Sequence, residues 1–407
     1  MASSSGEVGR RALLIVENLS VPFDRRVAQE ARCLHEHGWT VEVICPRGPD
    51  GPGGYDSEPE ADVDGVRVYR YPLATAGRAA GYLREYSVAL LHTLRLAVRL
   101  RLRGRIDVVH LCNPPDLLFP VALLLRITGA RVVFDHHDLS PELYLSRFGA
   151  RQDVVYRALR ALEWLTFRSA DVVLSTNESY RAIAVGRGRV DPRRVHVVRS
   201  APAPDRLWPG PPDPSLGRGA RHVLCYLGVM GPQDGVDHAV HALARLAERR
   251  DDWHAVMVGS GDARPAAEAL VREYGLADRV TFTGRVSDER VRSVLSTAAV
   301  CLAPDPLNPL NDVSTMNKIV EYMAMGRPTV SVDLTESRIS AGEAAVYARP
   351  GDPEDFAALV DALLDDPERR RRMGEAGQAR VRGDLSWESS KEALLAGYAQ
   401  ACGKGQP

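Results

Sequence analysis

Short runs rich in Val and Ile alternate with longer helical stretches along almost the whole of this chain, and that order admits few folds. The first half reads ALLIVEN, then the helical FDRRVAQEARCLHEHG, then VEVICP, VRVYRY, DVVHLCN, RVVFDHHD, DVVLSTN and VHVVRSA. Strands interleaved with helices in this way build an open parallel sheet covered on both faces. Residues 201–220, APAPDRLWPGPPDPSLGRGA, interrupt the pattern. Their density of Pro and Gly sustains neither a helix nor a central strand, so the segment reads as a linker. The alternation then restarts with HVLCYLGV, WHAVMVGSG, RVTFTGRV, AVCLAPD and PTVSVDL, separated by helices such as VDHAVHALARLAERR. The expectation is an α/β protein of two doubly wound domains, residues 1–200 and 221–385, with a last helix in 386–407. Such sheets bind ligands at the carboxyl ends of their strands, which predicts a site in a cleft between the two. The loop GPDGPGGYDSEPEADVDG reads as a surface excursion.

At 407 residues the chain can bury two cores without staples. Its six cysteines, Cys33, Cys45, Cys112, Cys225, Cys301 and Cys402, form no CxxC pair and read as buried thiols in a reducing compartment. A net charge of −1 gives no reason to expect a nucleic-acid partner. The first residues carry no secretory apolar core with a cleavage site, so a cytoplasmic location is expected. No uncharged apolar stretch reaches the roughly 20 residues of a membrane-spanning helix; LLFPVALLL is cut by Arg126.

Residues 306–331, PLNPLNDVSTMNKIVEYMAMGRPTVS, join a polar loop, a short helix and a buried strand around one acid, Glu321. The helix can begin near Thr315 or Met316, bury Ile319, Val320, Tyr322 and Met323, and stop at Gly326 before Pro328. Its open amino end at Thr315, Met316 and Asn317 favours a phosphate, and Lys318 adds a full positive charge one turn in. A ribose hydroxyl could then reach Glu321.

This segment resembles the retaining glycosyltransferases of family four, which have the GT-B fold of two Rossmann-like domains and use nucleotide-sugar donors. Those enzymes carry a glutamate, seven residues, a second glutamate and an Ala-x-Gly-x-Pro-x-Val tail. Glu321 with Ala324, Gly326, Pro328 and Val330 matches the second glutamate and its tail. Val313 stands where the first glutamate would be, with Asp312 one residue before it. The resemblance therefore implies that the acid contacting the donor sugar is displaced to Asp312 or absent. It extends to YARPGDPEDFAALVDALLDDPERRRRMGEAGQARV near the end, and implies that the last helix crosses back to the first domain.

Other turns take their roles from the same resemblance. In CYLGVMGPQDGVD, Gly228, Gly231 and Gly235 let backbone approach a ligand closely. The family's Arg and Lys that hold the diphosphate are replaced by Val229 and Asp234, which leaves Gln233, Lys318 and arginines of the other domain to balance its charge. A plain tight turn is the competing reading. VGSGDARP resembles the family's Val-Gly-x-Gly turn. FTGRVSDERV, with Gly284, Arg285 and Val286, resembles the turn that holds the nucleotide base; Arg285 can equally be a solvated loop charge. FDHHDLSPELY resembles the strand-end His-Asp-x-x-Pro-Glu segment, which implies that His137, with Asp138 beside it, acts near the donor sugar or acceptor hydroxyl in its neutral form. A metal at His136, His137 and Asp138 is disfavoured because neighbours on a strand point to opposite faces, and a core fate suits His136. In SVPFDRRV, Asp24, Arg25 and Arg26 either reach donor or acceptor phosphates or form a capping acid with two solvated arginines.

The resemblance implies same-face chemistry in which the leaving diphosphate oxygen helps take the acceptor proton, with no metal; the DVD at 62–64 is not read as a metal-binding Asp-x-Asp. The implied donor is a UDP-sugar ahead of a GDP-sugar, and the acceptor is a hydroxyl of a glycan, lipid-linked or natural-product molecule. Residues 82–105, with apolar residues at helical spacing among arginines, either touch an anionic membrane surface or face the core with a basic outer side. A nucleotide-sugar epimerase, or a donor-binding protein that has lost catalysis, are the alternatives.

Overall fold

The computed structural model describes residues 9–48, 56–73, 79–149, 152–202 and 206–403, and for 79–84 the backbone alone. Parts of the glycine-rich loop (49–55) and of the linker (203–205), and the side chain of Arg84, lie outside the described residues. The chain divides into two compact units, one of residues 1–144, 151–199 and 388–407, the other of 145–150 and 200–387.

The first unit is built on eight strands: β1 (Arg11–Ile15), β2 (Thr40–Pro46), β3 (Glu60–Val63), β4 (Val66–Tyr71), β5 (Val108–Cys112), β6 (Arg131–His136), β7 (Val172–Ser175) and β8 (Val195–Val197). Their order across the sheet is β3-β4-β2-β1-β5-β6-β7-β8. Every pairing is parallel except β3 with β4. Strands β1, β5 and β6 are buried on both faces, as a sheet sandwiched by helices requires. Strand β3 corrects the expected surface excursion. Asp62 pairs across the hairpin with Arg67 and accepts from the Gly65 N–H, while Asp64 pairs with Arg32, so both acids of the DVD segment are used in the turn. Short polar residues there hid a strand that only its partner β4 makes visible.

The helix Trp387–Ala401 lies on this unit. At Gly397 an added Cβ would stand 3.1 Å from Leu174 and 3.4 Å from Val172, which shows how closely the helix backbone approaches β7. Tyr398 is fully buried, its ring edge-on to Trp39 and its hydroxyl 2.8 Å from His110 Nδ1.

The second unit holds β9 (His222–Leu227), β10 (Trp253–Val258), β11 (Val280–Gly284), β12 (Val300–Ala303), β13 (Thr329–Val332) and β14 (Ala345–Ala348), all parallel, in the order β11-β10-β9-β12-β13-β14. The order reverses between β9 and β12, so the loops after these strands part there and open a crevice at their carboxyl ends. The described part of the linker is packed against this unit. Leu207 and Leu216 join a core cluster with Val291 and Leu295, Gly210 and Asp213 donate their N–H groups to Ser296 and Thr297, and Arg292 stacks 3.9 Å from the Trp208 ring centre.

Replacing Tyr398 by Phe leaves the buried His110 Nδ1 without its partner. The transition that unfolds the first unit is expected to lose about 1–3 kcal/mol in a urea titration, and an unshifted midpoint would show that this bond does not dock the helix.

Candidate active site

In the second unit the crevice is lined by backbone. Gly259, at φ +132°, sits so close to the preceding turn that a Cβ would fall 1.8 Å from the Gly228 oxygen. Gly228 N–H bonds to Val258 O and Gly259 N–H to Gly284 O, so the turns after β9, β10 and β11 are laced together. Gly235, at φ +66°, brings the end of the first turn against Pro304, where a Cβ would lie 2.3 Å from the carbonyl oxygen. Only glycine fits either place. Asn311 ties the two sides of the crevice, donating to Gln233 O and Pro306 O at 2.8 Å each. Within the turn, Asp234 accepts from Gly231 N–H at 2.9 Å. Burial raises the Asp234 carboxyl above its ordinary range, against the pull of Lys318.

The helix of the Glu321 segment runs Asn317–Ala324 with Met316 as its N-cap, and Ile319, Val320, Tyr322 and Met323 are buried. It ends at Gly326, φ +66°. Lys318 turns inward from its first turn. Its ammonium pairs with Asp305 and lies 5.1 Å from the centre of the Tyr226 ring. Burial alone would lower its pKa, but Asp305, Tyr226 and Asp234 together raise it, so the charge persists. That charge is already balanced by Asp305, a partner that the sequence does not announce because it stands thirteen residues away across a loop. Thr315 is half-buried and Asn317 exposed.

Glu321 is half-buried, and its Oε1 accepts from Arg206 Nη1 at 2.7 Å, while Arg206 Nε donates to Asp288 at 2.9 Å. Arg206 belongs to the proline-rich segment that reads as a mere linker. Asp312 faces the helix Thr335–Ala341; its two oxygens accept from the N–H and hydroxyl of Thr335, at 2.8 and 3.1 Å, so it caps that helix from outside. Arg285 is exposed, and Val286 packs against the core beside Leu227.

The first unit gathers a second group at the ends of β5 and β6. Asp24 caps the helix Arg25–Glu36 through Val27 N–H at 3.1 Å; burial raises its carboxyl. Arg25 is exposed. Arg26 is not solvated. Its guanidinium grips Asp135 with two bonds of 2.8 and 2.6 Å, donates to Val198 O at 2.8 Å and lies 3.1 Å from Glu30. His137 Nδ1 meets the same carboxylate at 2.7 Å. Burial opposes a proton on His137, but Asp135 outweighs it and raises the pKa above the ordinary histidine value, a shift towards the charged ring and away from the neutral form that the sequence reading gives it. Asn113 Oδ1 accepts from the N–H groups of His137 and Asp138 at 2.9 and 3.0 Å, fixing the strand end. Asp138 in turn accepts from Leu139 N–H. His136 is fully buried among Phe134, Phe167 and Tyr180, the core fate expected of it. Glu142 pairs with Arg187.

Among the described residues one trio, His110, Cys112 and Asp135, has ligand-type atoms within 4.8 Å of one another. It does not fit a cation, because the Asp135 oxygens already hold Arg26 and His137.

Chemically, the second unit offers a glycine-lined crevice of closely approaching backbone, a buried ammonium and one carboxylate already holding an arginine. The first offers an imidazole held by a buried carboxylate. Comparison with known proteins puts names to such a pair. Residues 24–201 match the model of the glycosyl transferase 4-like domain, and 221–366 that of the glycosyl transferases group 1. The 2-deoxystreptamine glucosyltransferase of Streptomyces kanamyceticus is 26% identical over 356 residues, covering 83% of this chain and 89% of that one. The fold is that of sucrose-phosphate synthase from Thermosynechococcus elongatus, with TM-score 0.80 at 20% identity over 97% of this chain and all of that one. Anabaena Alr3699/HepE in complex with UDP and glucose superposes with TM-score 0.69 at 14% identity, covering 96% and 99%.

The His137 pair makes a pH prediction. A pKa raised in the folded state adds stability that is complete below the unfolded histidine value, about 6.5, and is lost as pH rises through the folded value. The difference in melting temperature between the protein and its His137→Gln variant is therefore expected to shrink from pH 6 towards pH 9. A constant difference would mean that the proton on His137 contributes nothing.

Proposed function

We propose, for a chain that belongs to the group 1 glycosyl transferases and has the GT-B fold, that it moves a sugar with retention of configuration from a nucleoside diphosphate, UDP before GDP, to a hydroxyl acceptor, without a metal. The observation that carries this reading is the glycine-lined crevice of the second unit with Lys318 and Glu321 on the helix beside it. The close backbone approach that the crevice glycines permit and the start of that helix suit a diphosphate. Glu321 suits the ribose hydroxyls, and the turn at Gly284, Arg285 and Val286 suits the base. The likeness to a structure holding UDP and glucose supports uridine, and the likeness to a glucosyltransferase of 2-deoxystreptamine supports a small natural-product acceptor over a polymer.

In this reading the acceptor oxygen bonds to the anomeric carbon as the bond to the diphosphate oxygen breaks on the same face, and the acceptor proton passes to that leaving oxygen. The protein holds the reacting groups and stabilises charge. His137, oriented by Asp135 and with its proton affinity raised by it, supplies when protonated an N–H and a positive charge where negative charge develops. Asp312, which accepts from Thr335, takes the place of the family's first glutamate, or that contact is absent.

A second reading, a donor-binding protein without transfer, is favoured by one observation: Asp234 and Asp305 surround the single buried ammonium that faces the crevice. Contact with an anionic membrane is a further element of the proposal. Leu91, Arg95, Val98, Arg99 and Leu102 are exposed along one stripe of the helix Ala79–Arg103. No helix among the described residues is long and apolar enough to cross a membrane.

Two measurements test the transfer reading. Glu321→Ala is expected to weaken UDP binding about tenfold, or about 1.4 kcal/mol, in calorimetry, with circular dichroism unchanged; equal affinity would remove Glu321 from the ribose site. His137→Ala is expected to lower turnover about a hundredfold with little change in UDP-sugar affinity, and matching losses in both would reduce its role to binding.

A further inference from the structure

The helix Phe119–Ile127 is apolar almost all round: of its nine residues, FPVALLLRI, only Arg126 is polar. Its inner side, with Val121, Ala122 and Leu125, is spent on the core of the first unit. Leu123, Leu124 and Ile127 stand on the outer side, and Ile127 is 85% exposed. A helix of this kind belongs in an interior or in lipid. It packs between the helices Ala79–Arg103 and Val154–Ser169, and both continue the pattern. The long helix Ala79–Arg103 buries Ala97 and Leu100 and exposes Leu91, Val98 and Leu102, the last at 82%. The helix Val154–Ser169 buries Phe167 and exposes Val154, Val155, Trp164 and Leu165. Single exposed apolar side chains are ordinary on a protein surface. Ten of them on three adjacent helices, whose inner sides already furnish a core, make an interaction face.

Charge selects what covers it. The three helices expose Arg95, Arg99, Arg103, Arg126, Arg157 and Arg168, and among their described side chains no acid is exposed, since Glu85 is half-buried and Glu163 buried. Glu60 lies 3.5 Å from Arg99 and Asp171 lies 3.1 Å from Arg126. Arg95, Arg157 and Arg168 pair with no carboxylate among the described residues. Cations near the carboxyl ends of helices also suit the helix dipole, which accounts for Arg103, Arg126 and Arg168 but not for the apolar residues beside them. A second copy of the chain docked through the same face would set arginine against arginine. A nucleic acid would find mostly aliphatic side chains where it needs stacking surfaces. A bilayer with anionic headgroups meets both demands. It takes the aliphatic side chains into the boundary of its acyl region, while the guanidinium groups reach the headgroups along their own apolar stems. Trp164, 45% exposed with the Arg168 guanidinium 6.0 Å from its ring centre, is the residue type that settles at that depth.

We propose that the outer sides of these three helices form one face that lies on an anionic lipid surface. This rests on the membrane element of the proposed function and widens it from one stripe of the long helix to a face centred on Phe119–Ile127. Helices that connect parallel strands run opposite to them. Leu102 and Ile127, at the carboxyl ends of their helices, therefore gather at the amino edge of the sheet, while His137 follows the carboxyl end of β6. Lipid held at this face leaves the edge that carries His137 open to water.

The test is co-sedimentation of the full chain with vesicles of phosphatidylglycerol and phosphatidylcholine in equal parts, against vesicles of phosphatidylcholine alone. The anionic vesicles are expected to bind at least tenfold more strongly, and Ile127→Glu, a change at an exposed position, is expected to lower that binding about tenfold. A blue shift of tryptophan emission on adding the anionic vesicles is expected in the wild type and absent in Trp164→Phe, which still sediments; this readout stands even if Ile127→Glu melts below the wild type. No sedimentation with anionic vesicles, or equal sedimentation with both kinds, overturns the proposal. Binding undiminished in Ile127→Glu together with a blue shift undiminished in Trp164→Phe overturns the face and leaves the contact to the stripe of the long helix. A dimer in sedimentation velocity that Ile127→Glu dissociates overturns it in favour of a second copy of the chain. UDP-glucose binding without vesicles, read by thermal shift, decides the transferase reading by itself and is expected to be unchanged in Ile127→Glu.

Discussion

The first unit depends on one desolvated ion pair. Arg26 and Asp135 lie almost wholly out of water, and such charges persist only when every donor and acceptor is met. The guanidinium hydrogen-bonds to Asp135 and to the carbonyl just past β8 and lies beside Glu30, whose buried oxygens make no hydrogen bond, and the carboxylate of Asp135 adds His137. Three stretches of the chain, the first helix, the end of β6 and the residue after β8, are thus held to one point at the carboxyl edge of the sheet. Removing one partner of such a pair typically costs about 3–5 kcal/mol, because the other charge stays behind in the interior. The same pair sets the chemistry, since Asp135 is what raises the proton affinity of His137.

The second unit solves a different problem by a different means. Its crevice is shaped by close backbone approach, at Gly228 with Gly259 and at Gly235 with Pro304, where side chains are excluded outright. Charge there is scarce and already internally paired: Lys318 with Asp305, Glu321 with Arg206. Backbone packing of this kind does not depend on pH, so the crevice keeps its shape over a range in which the His137 group changes its charge.

Much of the fold could be read from the residues, because central parallel strands must be apolar on both faces and VVHLC, VVFD or HAVMV have no other stable use. The Glu321 helix was legible for the same reason, its apolar stripe and its terminal glycine both being local signals. What escaped was whatever depends on a distant partner. The strand at 60–63 is polar and exists through β4. Asp135 reads as one more strand residue until Arg26, 109 positions earlier, is folded against it. Arg206 sits in a run of prolines that advertises only a turn, and Asp305 follows a strand whose pattern says nothing of Lys318. Asp312 was legible as an acid near the helix, but its engagement with Thr335 was not.

The linker arginine has one more consequence. Since Arg206 already donates to Glu321 Oε1, a ligand hydroxyl that takes that oxygen enters by exchange: one donor leaves as another arrives, and the number of hydrogen bonds is conserved. The exchange weighs one ligand against another, since a molecule with nothing to offer Glu321 leaves the arginine in place and a molecule with a misplaced donor displaces it for no return. The carboxylate so guarded discriminates as well as anchors.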